Sequence, residues 1–513
     1  MNIAIVHYHL NRSGVTQVVM NQLLALDRVL GGREVLRAAI FFGGRDKGWP
    51  ADFADKLKSI NVRLVPIPRL DYDTQPIAEP HALADELRQQ LRKLDFAPHE
   101  TVLHVHNHSL GKNVSLPGAL RILAEDGFAQ LLQIHDFAED FRPRNYRRLC
   151  DAVGRDDLTA VLYPQASHLH YAVLNRRDQR LLSAAGFDKT KLHFLPNPVL
   201  GLGQLPSRAE SRGRLRRCFG IADDQRYVLY PVRGIRRKNL GEALLWSLLA
   251  GEKTAVGITL APLNPVEQSR YAHWKKLAIE LGLLCFFETG SDGKLLFEEN
   301  LSAADLILTT STAEGFGMVF LESWLAGRTL TGRNLPEVTA DFVETGICFD
   351  TLYDRLNVPI GWIGRDKYLE ILHQTSTVVM KSYGYPAVEA DRWECVIDAK
   401  IRNGFIDFAD LHEPLQESVI RRVAGDPSAR RELLHWNPAA SNVSAENPEV
   451  VRRNKQLIQH EYSLEPSGHR LEGIYQAVQS SPRSTEFSTP THGNEILSSL
   501  LELTRFRLIR GEP

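Results

Sequence analysis

Short apolar runs alternate with stretches of helical period along most of the first 340 residues, and that alternation leaves few folds open. Runs that read as buried strands cover residues 3–6, 36–42, 62–66, 101–106, 131–135, 159–163 and 192–195. Helical patterns separate many of them, notably at 15–26, 82–94 and 116–125. A chain that alternates in this way builds a mainly parallel sheet covered on both faces. A second region of the same kind opens with the strand 227–232 and continues at 255–261, 285–288 and 306–308. The expected fold class is therefore α/β, with two Rossmann-like domains.

Length and charge fit that expectation. A chain of 513 residues holds two to three domains of ordinary size. The 61 basic and 62 acidic side chains nearly cancel, so no global field recruits nucleic acid or an anionic membrane. Five cysteines are scattered, odd in number and never in Cys-x-x-Cys spacing, which argues for a reducing compartment and against a zinc site. The opening MNIAIVHYHL lacks a basic leader, and no apolar run reaches the ~18 residues of a membrane span. A cytoplasmic protein with no integral membrane segment is expected.

The stretch 309–337, TTSTAEGFGMVFLESWLAGRTLTGRNLPE, carries the densest chemistry. Glu314 falls at a turn from strand to helix, and Gly315, Phe316 and Gly317 open a helix that is apolar almost all round. Backbone N–H groups beside Gly315 and Gly317 are left uncovered for an anionic or hydroxylated ligand. Glu322 is the one charge on that helix, and a carboxylate there needs a partner from elsewhere in the protein or from a ligand. After the strand 227–232 comes Arg233-Gly-Ile-Arg236-Arg237-Lys238-Asn239, with four cations within six residues. Arginine can clamp phosphate oxygens through two nitrogens, while lysine supplies a point charge.

Glu314-x7-Glu322 around Gly-Phe-Gly, followed by Leu335-Pro-Glu337 and preceded by Arg233-x4-Lys238, resembles the donor-site signature of retaining GT-B glycosyltransferases of family 4. The resemblance covers most of residues 1–340 and a terminal helix. It implies two domains facing across a cleft, at 1–198 and 199–450, with an insert at about 340–405. Crossover helices at 451–479 would return to the first domain. By composition the tail at 480–513 opens with a Ser/Thr/Pro-rich, mobile segment at 480–490, followed by a short amphipathic helix at 495–509. The resemblance also implies transfer of a sugar, with retention, from a nucleoside diphosphate sugar to a hydroxyl acceptor. Arg233 and Lys238 would hold the diphosphate, Glu322 the ribose and Glu314 the sugar hydroxyls. His135, in Gln133-Ile-His135-Asp136-Phe137, would face the donor sugar.

Gly14 ends the turn His9-Leu-Asn-Arg-Ser-Gly14, which the resemblance places among the donor-binding residues. That turn is not the G-x-G-x-x-G of a dinucleotide fold, so hydride transfer loses support. The run His104-Val-His106-Asn-His108 puts imidazoles on one strand face, yet no cysteine or acidic ligand lies nearby in sequence and no metal is expected there. Neither metal nor cofactor is expected. Lys112 and Arg142, Arg144, Arg147 and Arg148 follow two strand ends in the first domain and suggest an anionic acceptor, with Lys112 and Arg144 as its contacts. Two other readings remain open: a sugar phosphorylase or epimerase on the same architecture, and a catalytically silent nucleotide-sugar binding protein.

Overall fold

The computed structural model describes residues 1–32, 35–385, 390–441 and 447–511. The chain forms two units: one of Met1–Leu200, Ser382–Gly384 and His460–Glu502, the other of Gly201–Lys381, Tyr385–Gln459 and Leu503–Pro513.

The first unit is built on seven parallel strands: β1 (Asn2–Val6), β2 (Leu36–Phe42), β3 (Ile60–Pro66), β4 (Thr101–His106), β5 (Ala129–Ile134), β6 (Leu169–Val173) and β7 (Leu192–Phe194). Their order is β3-β2-β1-β4-β5-β6-β7. Every residue of β1, β4, β5 and β6 is buried, as expected of a parallel sheet covered on both faces. The helix Gly14–Leu30 follows β1; Ser13 caps its start by accepting from Thr16 N, and Gly31, left-handed at φ 57°, ends it. Val19, Leu23 and Leu26 of this helix share a core with Ile3 and Ile5 of β1 and with Leu471, Ile474, Tyr475 and Val478 of the helix Leu464–Ser480.

Three expectations need correction. The strand expected at 159–163 is a short helix, Leu158–Leu162, whose buried residues Leu158 and Leu162 stand four apart. Helical spacing overrode the β-branched Thr159 and Val161, and the sheet position belongs to β6 instead. The stretch after residue 480 is held rather than mobile: Gln165 and Ser488 exchange backbone hydrogen bonds of 2.8 and 2.9 Å, and Phe487 packs against Ala124, Ala166 and Leu169. The amphipathic helix expected over 495–509 is shorter, Asn494–Leu500, followed by single 3-10 turns at Leu503–Arg505 and Leu508–Arg510.

The second unit has six parallel strands, β8 (Arg226–Arg233), β9 (Thr254–Leu260), β10 (Cys285–Phe287), β11 (Leu306–Thr309), β12 (Thr329–Arg333) and β13 (Leu352–Tyr353), in the order β10-β9-β8-β11-β12-β13. Trp246, Ile258, Ile307, Phe320, Leu321 and Trp324 are among its fully buried side chains. Gly332 in β12 sits at φ 112°, and a Cβ there would lie 2.1 Å from Thr309 O, so glycine alone lets β12 approach β11.

The loop-like sequence near 350–363 and the rest of the 340–405 stretch contain structure of their own. Residues 386–389 of it lie outside the described residues. β14 (Asn357–Pro359), β15 (Ile401–Arg402) and β16 (Phe405–Asp407) make a small antiparallel sheet in the order β14-β16-β15. A buried ion cluster fixes it to the main sheet. Arg333 donates to Glu242 Oε2 at 2.7 Å and to Asp407 Oδ1 at 2.7 Å, and Arg507 donates to Asp407 Oδ2 at 2.9 Å. Tyr353 OH donates to Glu242 Oε1 at 3.0 Å. Burial alone would push the Asp407 carboxyl up, but Arg333 and Arg507 outweigh it and hold the group well below the usual carboxylate range.

Candidate functional site

Open parallel sheets gather ligands beyond the carboxyl ends of their strands, where neighbouring strands send their chains in opposite directions. In the second unit that place lies between β8 and β11. The two strands pair only through Leu306 with Val228 and Ile307 with Leu229, and their chains then part. After β8 the chain makes a 3-10 turn, Arg236–Lys238; after β11 it runs through Thr310, Ser311 and Thr312 to Glu314.

These two loops are knitted together. Thr310 Oγ1 donates to Lys238 O at 3.0 Å, and Thr312 N and Oγ1 donate to Arg237 O at 2.9 and 3.2 Å. The buried Tyr230 OH donates to Lys238 O at 2.8 Å and lies 3.0 Å from Ser311 Oγ. On this scaffold Lys238 Nζ donates to Glu314 Oε1, and Arg237 Nη1 donates to Ala313 O at 3.1 Å and Glu314 Oε2 at 3.3 Å. Burial raises the Glu314 carboxyl, but Lys238 and Arg237 more than reverse this and hold it at about 2. Burial lowers the Lys238 ammonium, opposed by Glu314.

Glu322, on the helix Val319–Leu325, has a contrasting environment. Its carboxylate makes no hydrogen bond or ion pair among the described residues, and burial pushes it up to about 7. That helix starts at Val319, later than the 315–317 expected from sequence. Gly317 lies before it at φ 77°, where a Cβ would meet Phe320 at 2.6 Å and Val338 at 2.9 Å. Phe316 turns its ring inward, edge to face with Phe342 at 5.4 Å.

The four cations of 233–238 divide their work. Arg233, at the end of β8, donates to Ala261 O at 2.7 Å. Arg236 is committed to structure: its guanidinium forms a two-pronged pair with Glu413, and its N–H donates to Glu267 Oε2 at 2.9 Å. Arg237 and Lys238 hold Glu314. Asn239, left-handed at φ 52°, donates to Glu242 Oε2 at 2.7 Å, so the loop is also tied to the buried ion cluster.

The equivalent place in the first unit is the end of β1, β4 and β5. Asn107, just past β4 and left-handed at φ 61°, accepts through Oδ1 from His135 N at 2.8 Å and Asp136 N at 3.0 Å. Its own carbonyl accepts from Tyr8 OH at 2.5 Å. His106 Nδ1 lies 2.9 Å from His135 Nε2. Burial, reinforced by His104, depresses His135 to about 3, so its imidazole is neutral at pH 7. The histidine run splits: His104 meets Tyr475 OH at 2.8 Å and Gln133 Oε1 at 2.9 Å, whereas His108 Nε2 meets Leu162 O at 2.9 Å. The described residues contain no group of three or more His, Cys, Asp or Glu arranged to hold a metal ion. Gly14 is the first residue of its helix, with open space where a Cβ would be.

Cations also gather in this unit, though not in the set read from sequence. Lys112 Nζ lies 5.2 Å from the Tyr72 ring centre and the Arg45 guanidinium 5.1 Å from it, while His9 Nε2 meets Tyr72 OH at 3.1 Å. Burial lowers the Lys112 ammonium, and Arg142 and Arg148 lower it further. Arg142 pairs with Asp136, and Arg148 donates to Asp73 O at 2.7 Å. Arg144 is exposed on the helix Pro143–Val153. Sequence reasoning missed Tyr230, Asn107, Tyr72 and Arg45. Only Asn107 carried a local signal, an asparagine directly after a buried strand.

No protein-family model matches the chain. It is similar in sequence to mannosylglucosyl-3-phosphoglycerate synthase of Petrotoga mobilis, 27% identical over 371 residues that cover 70% of each protein. In structure it is similar to a glycosyltransferase from Rickettsia africae (TM-score 0.53, 13% identity, 94% of this chain and 99% of that one). Sucrose-phosphate synthase from Thermosynechococcus elongatus gives 0.52 at 13% identity, covering 93% and 98%. HepE of Anabaena in complex with UDP and glucose gives 0.50 at 14% identity, covering 93% and 100%. The α/β fold with two parallel Rossmann-like sheets is the GT-B fold of these solved structures. Among the described residues no helix is long and apolar enough to cross a membrane.

Proposed function

We propose that this protein is a retaining glycosyltransferase that moves a sugar from a nucleoside diphosphate sugar to a hydroxyl on an anionic acceptor, without a metal ion. The observation that carries the reading is the junction of Lys238 and Arg237 with Glu314, together with a partly buried and unpartnered Glu322 on the helix that follows. One junction thereby unites two motifs 76 residues apart.

In this reading Arg233 and Lys238 stabilise the negative charge that grows on the departing diphosphate, where fixed cations matter most. Glu322 accepts from the ribose hydroxyls and Glu314 from the sugar hydroxyls, since carboxylates only accept. Gly14, Gly315 and Gly317 offer backbone N–H groups to the donor. His135 is the neutral sugar contact. The acceptor proton passes to the leaving phosphate on the same face of the sugar. The Petrotoga relative is named for a product containing phosphoglycerate, which supports an anionic acceptor, as do Lys112 and Arg45 over the Tyr72 ring with Arg142 and Arg148 acting on Lys112.

A thermal-shift series with UDP, GDP and ADP, followed by transfer assays with the sugars of whichever nucleotide binds, tests the reading. A ligand held by the folded state alone raises the melting temperature. Formation of a sugar phosphate from free phosphate, with no transfer from any nucleotide sugar, would replace this reading with a phosphorylase.

A further inference from the structure

His135 does not stand alone at the end of β5. Its Nε2 lies 2.9 Å from Nδ1 of His106, a residue with no solvent exposure. Burial keeps both rings neutral, so each carries one ring proton. His106 Nε2 is buried with no hydrogen-bond partner. If the His106 proton sat there, a buried N–H would be orphaned, and orphaned donors are rarer and costlier in proteins than under-used acceptors. With the proton on Nδ1, the same N–H donates to His135 Nε2 and only a lone pair is left unused.

The neighbours favour the same choice. His104, ring centre 4.4 Å from that of His106, has both nitrogens engaged, by Tyr475 OH at 2.8 Å and Gln133 Oε1 at 2.9 Å. Gln22 Nε2 also donates to Gln133 Oε1 at 3.0 Å. In either tautomer of His104 both nitrogens are engaged, so it offers no acceptor to His106. The backbone of His135 is pinned separately by Asn107, so the ring pair sets the tautomer rather than the position of the loop.

We infer that His106 is a positioning residue that holds His135 as its Nδ1–H tautomer, so that His135 meets the sugar as a hydrogen-bond donor and cannot act as a base. The inference rests on the proposed function only for what His135 touches. Its chemical consequence is that the acceptor proton cannot go to His135. In the proposed reaction the leaving phosphate takes it, with the bond to the sugar forming as the bond to the phosphate breaks.

The test is a long-range proton–nitrogen spectrum of the full chain with 15N-labelled histidine, the His135 signals being those absent from His135→Gln. Protonated Nδ1 and bare Nε2 on His135 are expected in the wild type. In His106→Leu the two tautomers should mix. Turnover with a nucleotide sugar should fall about tenfold while donor KM stays nearly constant, the pattern of an interaction made mainly in the transition state. His106→Asn, whose amide N–H can stand where Nδ1–H does, should restore both readouts. Protonated Nε2 on wild-type His135 overturns the inference, as does an unchanged tautomer in His106→Leu. If the leucine variant does not fold, the wild-type and His106→Asn spectra still decide. The spectra decide equally if the protein transfers no sugar, so failure of the tautomer and failure of the enzymatic reading are told apart.

Discussion

Lys238 donates to Glu314 from 76 residues away, and each charge is the main opponent of the other's burial. A phosphate-bearing ligand at this place must therefore share a lysine already engaged, and the carboxylate keeps Arg237 as its second support.

Removing a cation from the proposed diphosphate site should be felt in the chemical step. Arg233→Ala and Lys238→Ala are each expected to lower turnover on the order of 100-fold, as loss of a fixed electrostatic group does elsewhere. Steady-state kinetics with the cognate nucleotide sugar check this. Wild-type turnover in both variants would remove these residues from the site.

Glu322 gives the donor affinity a pH dependence of predictable sign. Its carboxyl sits at about 7 without ligand, and only the ionised form accepts through both oxygens with charge assistance from two ribose hydroxyls. Protonation below pH 7 then competes with binding. Donor KM should be flat above 7 and rise toward tenfold per pH unit well below it. Glu322→Gln should weaken binding and flatten that profile; an unchanged slope in the variant would refute the assignment.

The ion cluster under the insert predicts a stability effect. Arg333→Leu leaves Glu242 and Asp407 buried beside less positive charge, a defect of about 3–5 kcal/mol. A melting temperature lower by roughly 10 °C in scanning calorimetry is expected for a unit of this size. An unshifted transition would show that the cluster contributes little.

For the acceptor, Lys112→Ala should raise KM about tenfold and reduce its sensitivity to salt, because contacts to an anion are charge-assisted and screened. Arg144→Ala should do less, given its exposure on the helix surface. A neutral acceptor used as well as its phosphorylated analogue would contradict the reading.

Transfer should survive EDTA, since Arg233 and Lys238 supply the positive charge that a divalent ion would otherwise bring to phosphate. Complete loss on chelation, restored by Mg2+ or Mn2+, would count against the proposed mechanism.

The parts of this molecule legible in sequence are those where a residue's role is local. Strand runs such as Leu36–Phe42 and Thr101–His106, where aliphatic or aromatic residues dominate, were readable to the residue. β12 was not, because TLTGR carries an arginine whose partners lie 91 and 74 residues away. β6, only five residues with His170 and Tyr171 at its centre, is missed, and the sheet position is read at 159–163 instead. At the candidate site, charge density marked the 233–238 loop, yet sequence could not say that Glu413 takes Arg236 and leaves Arg237 to Glu314. Tyr230 and Tyr72 act through partners distant in sequence and left no pattern to find.

The helix Leu464–Ser480 packs on Gly14–Leu30, and Arg507 closes a cluster begun by Glu242 and Arg333. For a ribosome, which delivers residues in order, this interleaving matters. When residue 200 has emerged, the first sheet still lacks Leu471, Ile474 and Tyr475 over Val19 and Leu23, and that apolar face stays wet while some 260 further residues are made. The second unit in turn waits for Arg507 to neutralise Asp407. Neither unit can be finished during synthesis and set aside; the nascent chain carries two incomplete cores together until its last helices are out.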